Sequence, residues 1–379
     1  MGCSLCKGAA GRRDKRSSQS STGAVLSSIV NHLSHHDKPK YNVRETKKAR
    51  YDRDACGVKT LNQYVYQKKL GVGSFGKVSL YLNNENNQLY AVKSMKKKIL
   101  MKRRFGVHNG RTHWDDVMRE ISIMKRLDHP NVIKVFEIIN DPNDTKIHIV
   151  MEYAENGPLF KGEDTDSYVR SIDDDTMKNY FAQMVKGLQY VHSRGVIHRD
   201  IKPENILASN GVIKIADFGV SYQLCNRSID FNSDHNNGDE DSEQLKKSVG
   251  SPAFLPPELC ATDHDHITGP PIDIWALGIT LFFLYFGRIP FTGDTEAILY
   301  DNVRTQDLTF PAPADELLED LLKKLLQKNP DLRITLDSVA QHPWDKVERE
   351  MEEERDIEER KDCLRPIMER LHRRLIYFR

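Results

Sequence analysis

The sequence has few cysteines, little excess charge and no long apolar run. Its six cysteines are scattered over 379 residues, and only Cys3 and Cys6 lie close together. They form neither a disulfide framework nor paired zinc-ligand motifs, which favours a reducing compartment such as the cytoplasm. A net charge of +1 gives no argument for a nucleic-acid partner. No stretch of about 18 apolar residues is present, so we expect no transmembrane helix.

Composition divides the chain into three regions. Residues 1–59 are polar, with 13 basic against 5 acidic side chains, and we expect this extension to be mostly disordered because it can bury little apolar surface. Residues 60–344 carry the periodic apolar patterns of a folded domain. Residues 345–379 form a charged tail with helical character.

Strands come before helices in residues 60–344. The patterns predict strands at 65–66, 78–82, 89–93, 132–139 and 147–153, and helices at 117–127, 176–193, 272–286, 316–327 and 336–340. This order predicts an α+β fold with two lobes, a small antiparallel-sheet N-lobe and a larger helical C-lobe.

The most informative stretch is residues 198–205, which read H-R-D-I-K-P-E-N. It places an acid (Asp200), a cation (Lys202) and an amide (Asn205) a few residues apart, and D-F-G follows at Asp217. Phosphoryl transfer requires these groups around a γ-phosphate and an incoming hydroxyl. We therefore expect Asp200 to act as the base and Lys202 to neutralise phosphate charge. Asn205 and Asp217 are expected to hold Mg²⁺, which prefers oxygen ligands.

A glycine-rich loop, G-V-G-S-F-G, occupies residues 71–76. Such a loop alone could be the dinucleotide fingerprint of a dehydrogenase, but there it opens a helix, whereas here a strand pattern follows. That context favours a lid over ATP, with Lys93 on the phosphates and Glu120 as its partner. Lys93 could also be one of several surface lysines, since three more follow. The predicted ATP-binding residues are Leu70, Gly71, Val72, Gly73, Ser74, Phe75, Gly76, Val78, Ala91, Lys93, Glu120, Glu152 and Ala154.

The segment from Asp217 to Glu258 is typical of a regulatory activation segment. Ser248 is the candidate activating phosphosite, and Arg199 is expected to pair with its phosphate. Ser251 is expected to form hydrogen bonds near Asp200 and Lys202 and to position the substrate residue. The acidic residues 230–243 suggest a solvated insertion, either a passive loop or a docking element.

Three more residues are expected to have structural roles around this segment. Glu258, in the sequence P-P-E, is available to pair with Arg333. Asp273 is expected to brace the catalytic loop from a buried helix. His198 is expected to pack internally and to satisfy a backbone hydrogen bond.

Taken together, the motifs between residues 71 and 333 resemble the eukaryotic protein kinase family, and Lys202 in H-R-D-I-K-P-E-N resembles its serine/threonine branch. The finer similarity is to the calcium/calmodulin-dependent protein kinase kinases and their fungal and plant relatives that activate AMP-activated-type kinases. Residues 43–46, 61–64, 96–114 and 250–260 carry it. The resemblance implies ATP and Mg²⁺ as cofactors and another kinase's activation-loop threonine as substrate. The alternative is a catalytically silent scaffold, which typically lacks one of the site residues; all are present here.

The two ends suggest further interactions. The sequence M-G-C-S-L-C resembles a myristoylation site at Gly2 with palmitoylation candidates at Cys3 and Cys6, although the usual serine or threonine is replaced by Cys6. Two acyl chains, or one with the basic run at 12–16, would attach the chain to a membrane. An ordinary disordered terminus is the alternative. The basic apolar stripe at 364–379 is typical of a calmodulin target, a membrane-surface helix or a helix docked on its own domain.

Overall fold

A computed structural model describes residues 42–53, 56–73, 76–102, 112–162, 172–224, 241–242, 244–246, 250–261, 267 and 269–344. Several sequence predictions therefore lie outside the described residues. These are the lipidation residues Gly2, Cys3 and Cys6, the loop residues Ser74 and Phe75, the phosphosite Ser248, and the tail after residue 344.

The N-lobe contains a curled eight-stranded sheet. Its order, from one edge to the other, is β1-β7-β8-β6-β5-β4-β3-β2, and only the β1–β7 pair is parallel among these described pairings. The strands are β1 (Arg44–Thr46), β2 (Tyr51–Arg53), β3 (Lys59–Leu61), β4 (Tyr64–Gly73), β5 (Gly76–Asn83), β6 (Leu89–Lys96), β7 (Val135–Ile139) and β8 (Lys146–Glu152).

Apolar side chains on one face hold the sheet together. Leu61, Tyr64, Tyr90, Val92 and Val150 are buried in one cluster with Ile139. Burial of each large apolar side chain contributes about 1.5–3 kcal/mol, so this cluster fixes the pairing register of the long strands.

The sheet begins before the predicted domain boundary at residue 60. Strands β1 and β2 lie in the extension that we expected to be mostly disordered, and both are paired into the sheet. Both strands lie at sheet edges and most of their side chains are exposed. They consequently lack the apolar alternation by which a strand is recognised in a sequence.

Two helices follow β6 in the N-lobe, α1 (Lys97–Leu100) and α2 (His113–Met124). Helix α2 begins four residues before the predicted position because Thr112 caps it. The Thr112 hydroxyl accepts the Asp115 N–H at 3.4 Å, and Asp115 accepts the Thr112 N–H at 2.8 Å. This reciprocal capping box satisfies two backbone donors of the first turn.

The C-lobe is mainly helical, which confirms the predicted α+β fold. Its helices are α3 (Asp174–Ser193), α4 (Pro257–Cys260), α5 (Gly269–Phe286), α6 (Glu296–Thr305), α7 (Glu316–Leu325) and α8 (Leu336–Val339). Its short strands are β9 (Gly157–Pro158), β10 (Val196–Ile197), β11 (Ile206–Ser209), β12 (Val212–Ile215) and β13 (Tyr222–Gln223). Two 3₁₀ turns lie at Pro203–Asn205 and Pro252–Phe254.

Helix α5 is the apolar centre of the C-lobe. Among the described residues it is the one helix whose length and composition would also suit a membrane span, and most of it is buried inside the protein. This is weak evidence for a span, because the core helix of a globular protein meets the same criteria. Its fully buried Trp275 and Phe282 pack in the interior.

The end of the acidic insertion differs from the predicted solvated loop. Ser242 is buried and its hydroxyl accepts the Ile267 N–H at 3.1 Å. Leu245 is also buried, in a cluster with Leu255, Leu259 and Ile272. An apolar side chain two residues after the acidic run thus attaches this part of the activation segment to the C-lobe.

Candidate active site

Lys93 joins three parts of the molecule. Its ammonium group on β6 lies 2.8 Å from Glu120 Oε1 on α2 and 3.4 Å from Asp217 Oδ1. Burial would lower the pKa of Lys93, but the charges of Glu120 and Asp217 outweigh that effect and raise it. Lys93 also lowers the pKa of Asp217. The predicted Lys93–Glu120 contact is therefore present, and Lys93 and Asp217 carry full charges at neutral pH.

Asp200 lies at the centre of a hydrogen-bonded group. Its carboxylate is 2.8 Å from Lys202 Nζ and accepts hydrogen bonds from the Ser251 hydroxyl at 3.0 Å and the Ser251 N–H at 3.1 Å. Lys202 also donates to Ser251 Oγ at 2.7 Å. Ser251 thus lies where the sequence predicted, and it fixes the positions of both the acid and the cation.

Asn205 and Asp217, the two residues predicted to hold Mg²⁺, are connected through the backbone. The Asn205 amide nitrogen donates to Asp200 O at 2.8 Å and to Asp200 Oδ2 at 2.9 Å, which directs the amide oxygen away from Asp200. The Ala216 N–H donates to Asn205 O at 2.9 Å, so Asp217 follows directly after a residue bound to Asn205. An amide oxygen and a carboxylate are the kinds of protein ligand that Mg²⁺ binds, together with waters and phosphate oxygens.

A buried carboxylate supports the catalytic loop from below. Asp273, on α5, accepts the backbone N–H groups of His198 at 2.8 Å and Arg199 at 2.7 Å. It also contacts His192 Nε2 at 2.8 Å. Burial would raise the pKa of Asp273, yet these hydrogen bonds and nearby histidines lower it. Asp273 supports the catalytic loop as predicted, whereas its partner His192 was not predicted.

His198 and Arg199 occupy the interior of the loop. His198 is buried and its Nε2 contacts Ala216 O at 3.1 Å, which confirms the predicted packing role. Burial lowers the pKa of Arg199 to about 10, so its guanidinium remains charged at neutral pH. A buried cation at this position is chemically suited to a phosphate.

The backbone at the site is constrained. Arg199 and Asp217 have φ angles of 68° and 61°, in the left-handed region that costs a non-glycine residue free energy. Gly250 has a φ of 109°, and a Cβ added there would lie 2.5 Å from Arg199 O. Only glycine therefore permits Ser251 to approach Asp200, a requirement that no sequence pattern revealed.

The glycines of the loop have different roles. A Cβ on Gly76 would lie 2.0 Å from Ser94 O, so Gly76 allows β5 to pair closely with β6. A Cβ on Gly71 or Gly73 would meet no described atom within 4 Å. These two glycines are not required by packing, and they leave the backbone accessible beside the exposed Leu70 and Val72.

The segment that joins the two lobes is fixed by an ion pair. Glu152 Oε1 lies 2.7 Å from Lys214 Nζ on β12, and Lys214 also donates to Pro130 O at 2.8 Å. The Glu152 side chain is therefore engaged with the protein, and its backbone is what remains for a nucleotide. Ala154, two residues further, is buried.

The predicted pair of Glu258 and Arg333 is bidentate. The two hydrogen bonds measure 2.8 and 2.9 Å, and Arg333 also donates to Pro271 O at 2.7 Å. The Arg333 side chain is fully buried. Proline in place of the usual alanine before Pro257 leaves this pair intact, as expected.

Comparison with known proteins identifies the family. Residues 64–345 match the protein kinase domain. The chain belongs to the protein kinase family. The motifs at Gly71, Lys93, Asp200 and Asp217 all lie within the matched residues, so the family predicted from the sequence is confirmed.

Relatives of this kinase are found in several kingdoms. It is 41% identical over 314 residues to a probable serine/threonine-protein kinase of Dictyostelium discoideum, covering 82% of this chain and 41% of that protein. It is 37% identical over 303 residues to serine/threonine-protein kinase GRIK2 of Arabidopsis thaliana, covering 80% and 70%. It is 36% identical over 302 residues to a calcium/calmodulin-dependent protein kinase kinase of Caenorhabditis elegans, covering 75% and 52%. The chain thus spans less than half of the first relative's length.

Proposed function

We propose that this kinase transfers the γ-phosphate of ATP to serine or threonine hydroxyls of proteins. The observation that carries the proposal is the contact of Lys93 with both Glu120 and Asp217. Phosphoryl transfer in protein kinases requires the lysine–glutamate pair and the D-F-G aspartate to be in place together. A scaffold without activity would have no need to maintain this arrangement.

The phosphate donor would be held mainly by the N-lobe. Lys93 would contact the α- and β-phosphates, and the backbone at Gly71 and Gly73 would cover them. Bound Mg²⁺ would neutralise charge on the β- and γ-phosphates, with oxygens of Asn205 and Asp217 as its protein ligands.

The hydroxyl acceptor would be placed by the C-lobe. Asp200 would orient the hydroxyl and accept its proton, while Lys202 would neutralise charge developing on the transferred phosphoryl group. Ser251 binds both side chains, so it would keep the base and the cation at a fixed separation. Because Ser251 also lies in the activation segment, ordering of that segment would complete the acceptor site.

The substrate class we propose is another protein kinase, phosphorylated on its activation-loop threonine. The support is the similarity at residues 43–46, 61–64 and 250–260, and a relative at 36% identity whose name states that it is a kinase of kinases. AMP-activated-type and calmodulin-dependent kinases are the candidate substrates.

An assay with Mg-ATP and the kinase domain of an AMP-activated-type kinase tests the proposal. We expect phosphate on the activation-loop threonine, and none on a matched substrate whose threonine is replaced by alanine. Asp200→Asn keeps the side-chain shape but removes the base, and we expect it to abolish transfer. Nucleotide binding with no transfer by the native chain would instead favour the scaffold, and transfer unaffected by Asp200→Asn would contradict the assignment of the base.

Interactions of the two ends remain predictions. Attachment to a membrane through Gly2, Cys3 and Cys6, and calmodulin binding by residues 364–379, concern residues outside the described structure. Phosphorylation of Ser248 is likewise a proposal, supported by the buried charge of Arg199.

A further inference from the structure

We infer that residues 43–51, here named the brace segment, position the Lys93–Glu120 ion pair. The segment lies before the residues that match the kinase family, yet its strand β1 is paired into the sheet next to β7. The inference rests on the proposed function in that the ion pair serves phosphoryl transfer. None of the brace residues touches the reacting groups, so their role is one of positioning.

Glu137, on β7, anchors the brace segment. Its carboxylate is almost fully buried and accepts hydrogen bonds from the Thr46 hydroxyl, from Gln63 Nε2 at 3.0 Å and from the Tyr64 hydroxyl at 2.7 Å. Arg44 Nε lies 3.6 Å away. All four of these partners precede residue 65, so the buried Glu137 carboxylate binds the segment that leads into the residues matching the kinase family. A buried carboxylate that loses such donors is costly.

The brace segment contacts the helix that carries Glu120. Glu45 forms an ion pair with Lys125, which caps the C-terminal end of α2. Val43 is buried in the same apolar cluster as Val117 and Ile121, on either side of Glu120. The Glu45–Lys125 ion pair therefore connects the beginning of the brace segment to the C-terminal end of α2, and Val43 belongs to the apolar core in which α2 is buried.

The other end of the brace reaches the strand that carries Lys93. The Tyr51 hydroxyl donates to Asp144 and lies 2.8 Å from His148 Nε2. His148 Nδ1 is in turn 2.8 Å from the hydroxyl of Ser94, the residue next to Lys93. His148 and Ser94 are both buried. A continuous hydrogen-bonded chain thus links Tyr51 to the backbone beside Lys93.

One short segment is consequently connected to both supports of the ion pair, to α2 through the Glu45–Lys125 ion pair and to β6 through Tyr51 and His148. Detachment of the brace segment would remove the Glu45–Lys125 ion pair at the C-terminal end of α2. Since Glu120 approaches Lys93 only from α2, movement of this helix would lengthen the ion pair while every site residue remained present.

Variants of Thr46 in the full-length chain test the inference. Thr46→Val keeps the shape but removes the donor to buried Glu137, whereas Thr46→Ser keeps the donor. Lys48→Ala, an exposed change in the same segment, is the matched control. Loss of a hydrogen bond to a buried charge changes an equilibrium constant about tenfold or more. We therefore expect the backbone amides of α2 to exchange about tenfold faster in Thr46→Val than in the native chain. We expect kcat/KM for ATP to fall by a similar factor, also about tenfold.

Thr46→Ser and Lys48→Ala should behave like the native chain, and exchange in α3 of the C-lobe should not change in any variant. The inference is overturned if α2 exchange is unaffected by Thr46→Val, or if α3 exchange rises equally, which would indicate general destabilisation. Hydrogen exchange does not depend on activity, so failure of the proposed function would leave native phosphate transfer absent but the α2 result readable.

Discussion

At the scale of single residues, the glycine-rich loop contains two kinds of glycine that its sequence cannot distinguish. Gly76 is required because a Cβ there would lie 2.0 Å from the backbone of β6, whereas a Cβ on Gly73 would meet no atom of the described residues within 4 Å. The first glycine serves the fold, and the second is free to serve the nucleotide.

This difference predicts opposite effects of two alanine substitutions. Gly76→Ala forces apart two paired strands, and we expect a loss of about 1–3 kcal/mol in unfolding free energy. Gly73→Ala should leave the unfolding free energy nearly unchanged and raise KM for ATP. Denaturant unfolding and ATP titration of both variants provide the comparison, and equal destabilisation by the two substitutions would contradict it.

At the scale of elements, the sequence predicted the helices whose buried side chains repeat regularly and the site residues that lie in spaced motifs. Helix α3 was predicted to within two residues at its start, because its buried side chains repeat with helical spacing. Helix α6, buried only at Leu299 and Val303, was missed. The site residues Lys93, Asp200 and Asp217 were predicted from motifs. Glu137 and Gly250 were not, because their importance arises only from neighbours distant in sequence.

Strand β8 gives the N-lobe a predictable response to pH. Burial lowers the pKa of His148 to about 4, from an unperturbed value of 6.5. The folded protein therefore holds this ring neutral. The contribution of the neutral ring to the unfolding free energy is complete above pH 6.5 and is lost as the pH falls towards 4. The charged or titratable groups around it are Asp144, Tyr51, Lys146 and Lys97, and the pKa of Asp144 is lowered, so that carboxylate titrates below the window.

We expect the native chain to lose roughly 3 kcal/mol more unfolding free energy between pH 7 and pH 4 than His148→Gln, which cannot be protonated. Denaturant unfolding at a series of pH values measures this difference. Parallel pH profiles for the two proteins would show that His148 is not held neutral.

At the scale of the whole molecule, ligand binding should stabilise both lobes together. The predicted nucleotide site takes Lys93 and Gly73 from the N-lobe and Asn205 and Asp217 from the C-lobe. A ligand that binds only the folded state stabilises it by mass action.

Mg-ATP at about 100 times its dissociation constant should raise the unfolding free energy by about 2.7 kcal/mol. Asp217→Asn removes the charge of one proposed metal ligand. We expect this variant to lose most of the stabilisation that depends on magnesium. Thermal unfolding with Mg-ATP, compared with ATP and a chelator, measures it. If magnesium stabilised Asp217→Asn as strongly as the native chain, Asp217 would not be a ligand of the metal.

The outermost strands of the sheet also affect how the molecule behaves towards its own copies. Strands β1 and β2 lie at the two edges, each is three residues long, and most of their side chains are polar and exposed. Short, charged edge strands are poor templates for edge-to-edge aggregation. Without β1, the longer and more apolar β7 would present its unpaired backbone to solvent. A chain from which residues 1–59 have been removed should therefore be prone to self-association, even where it still folds.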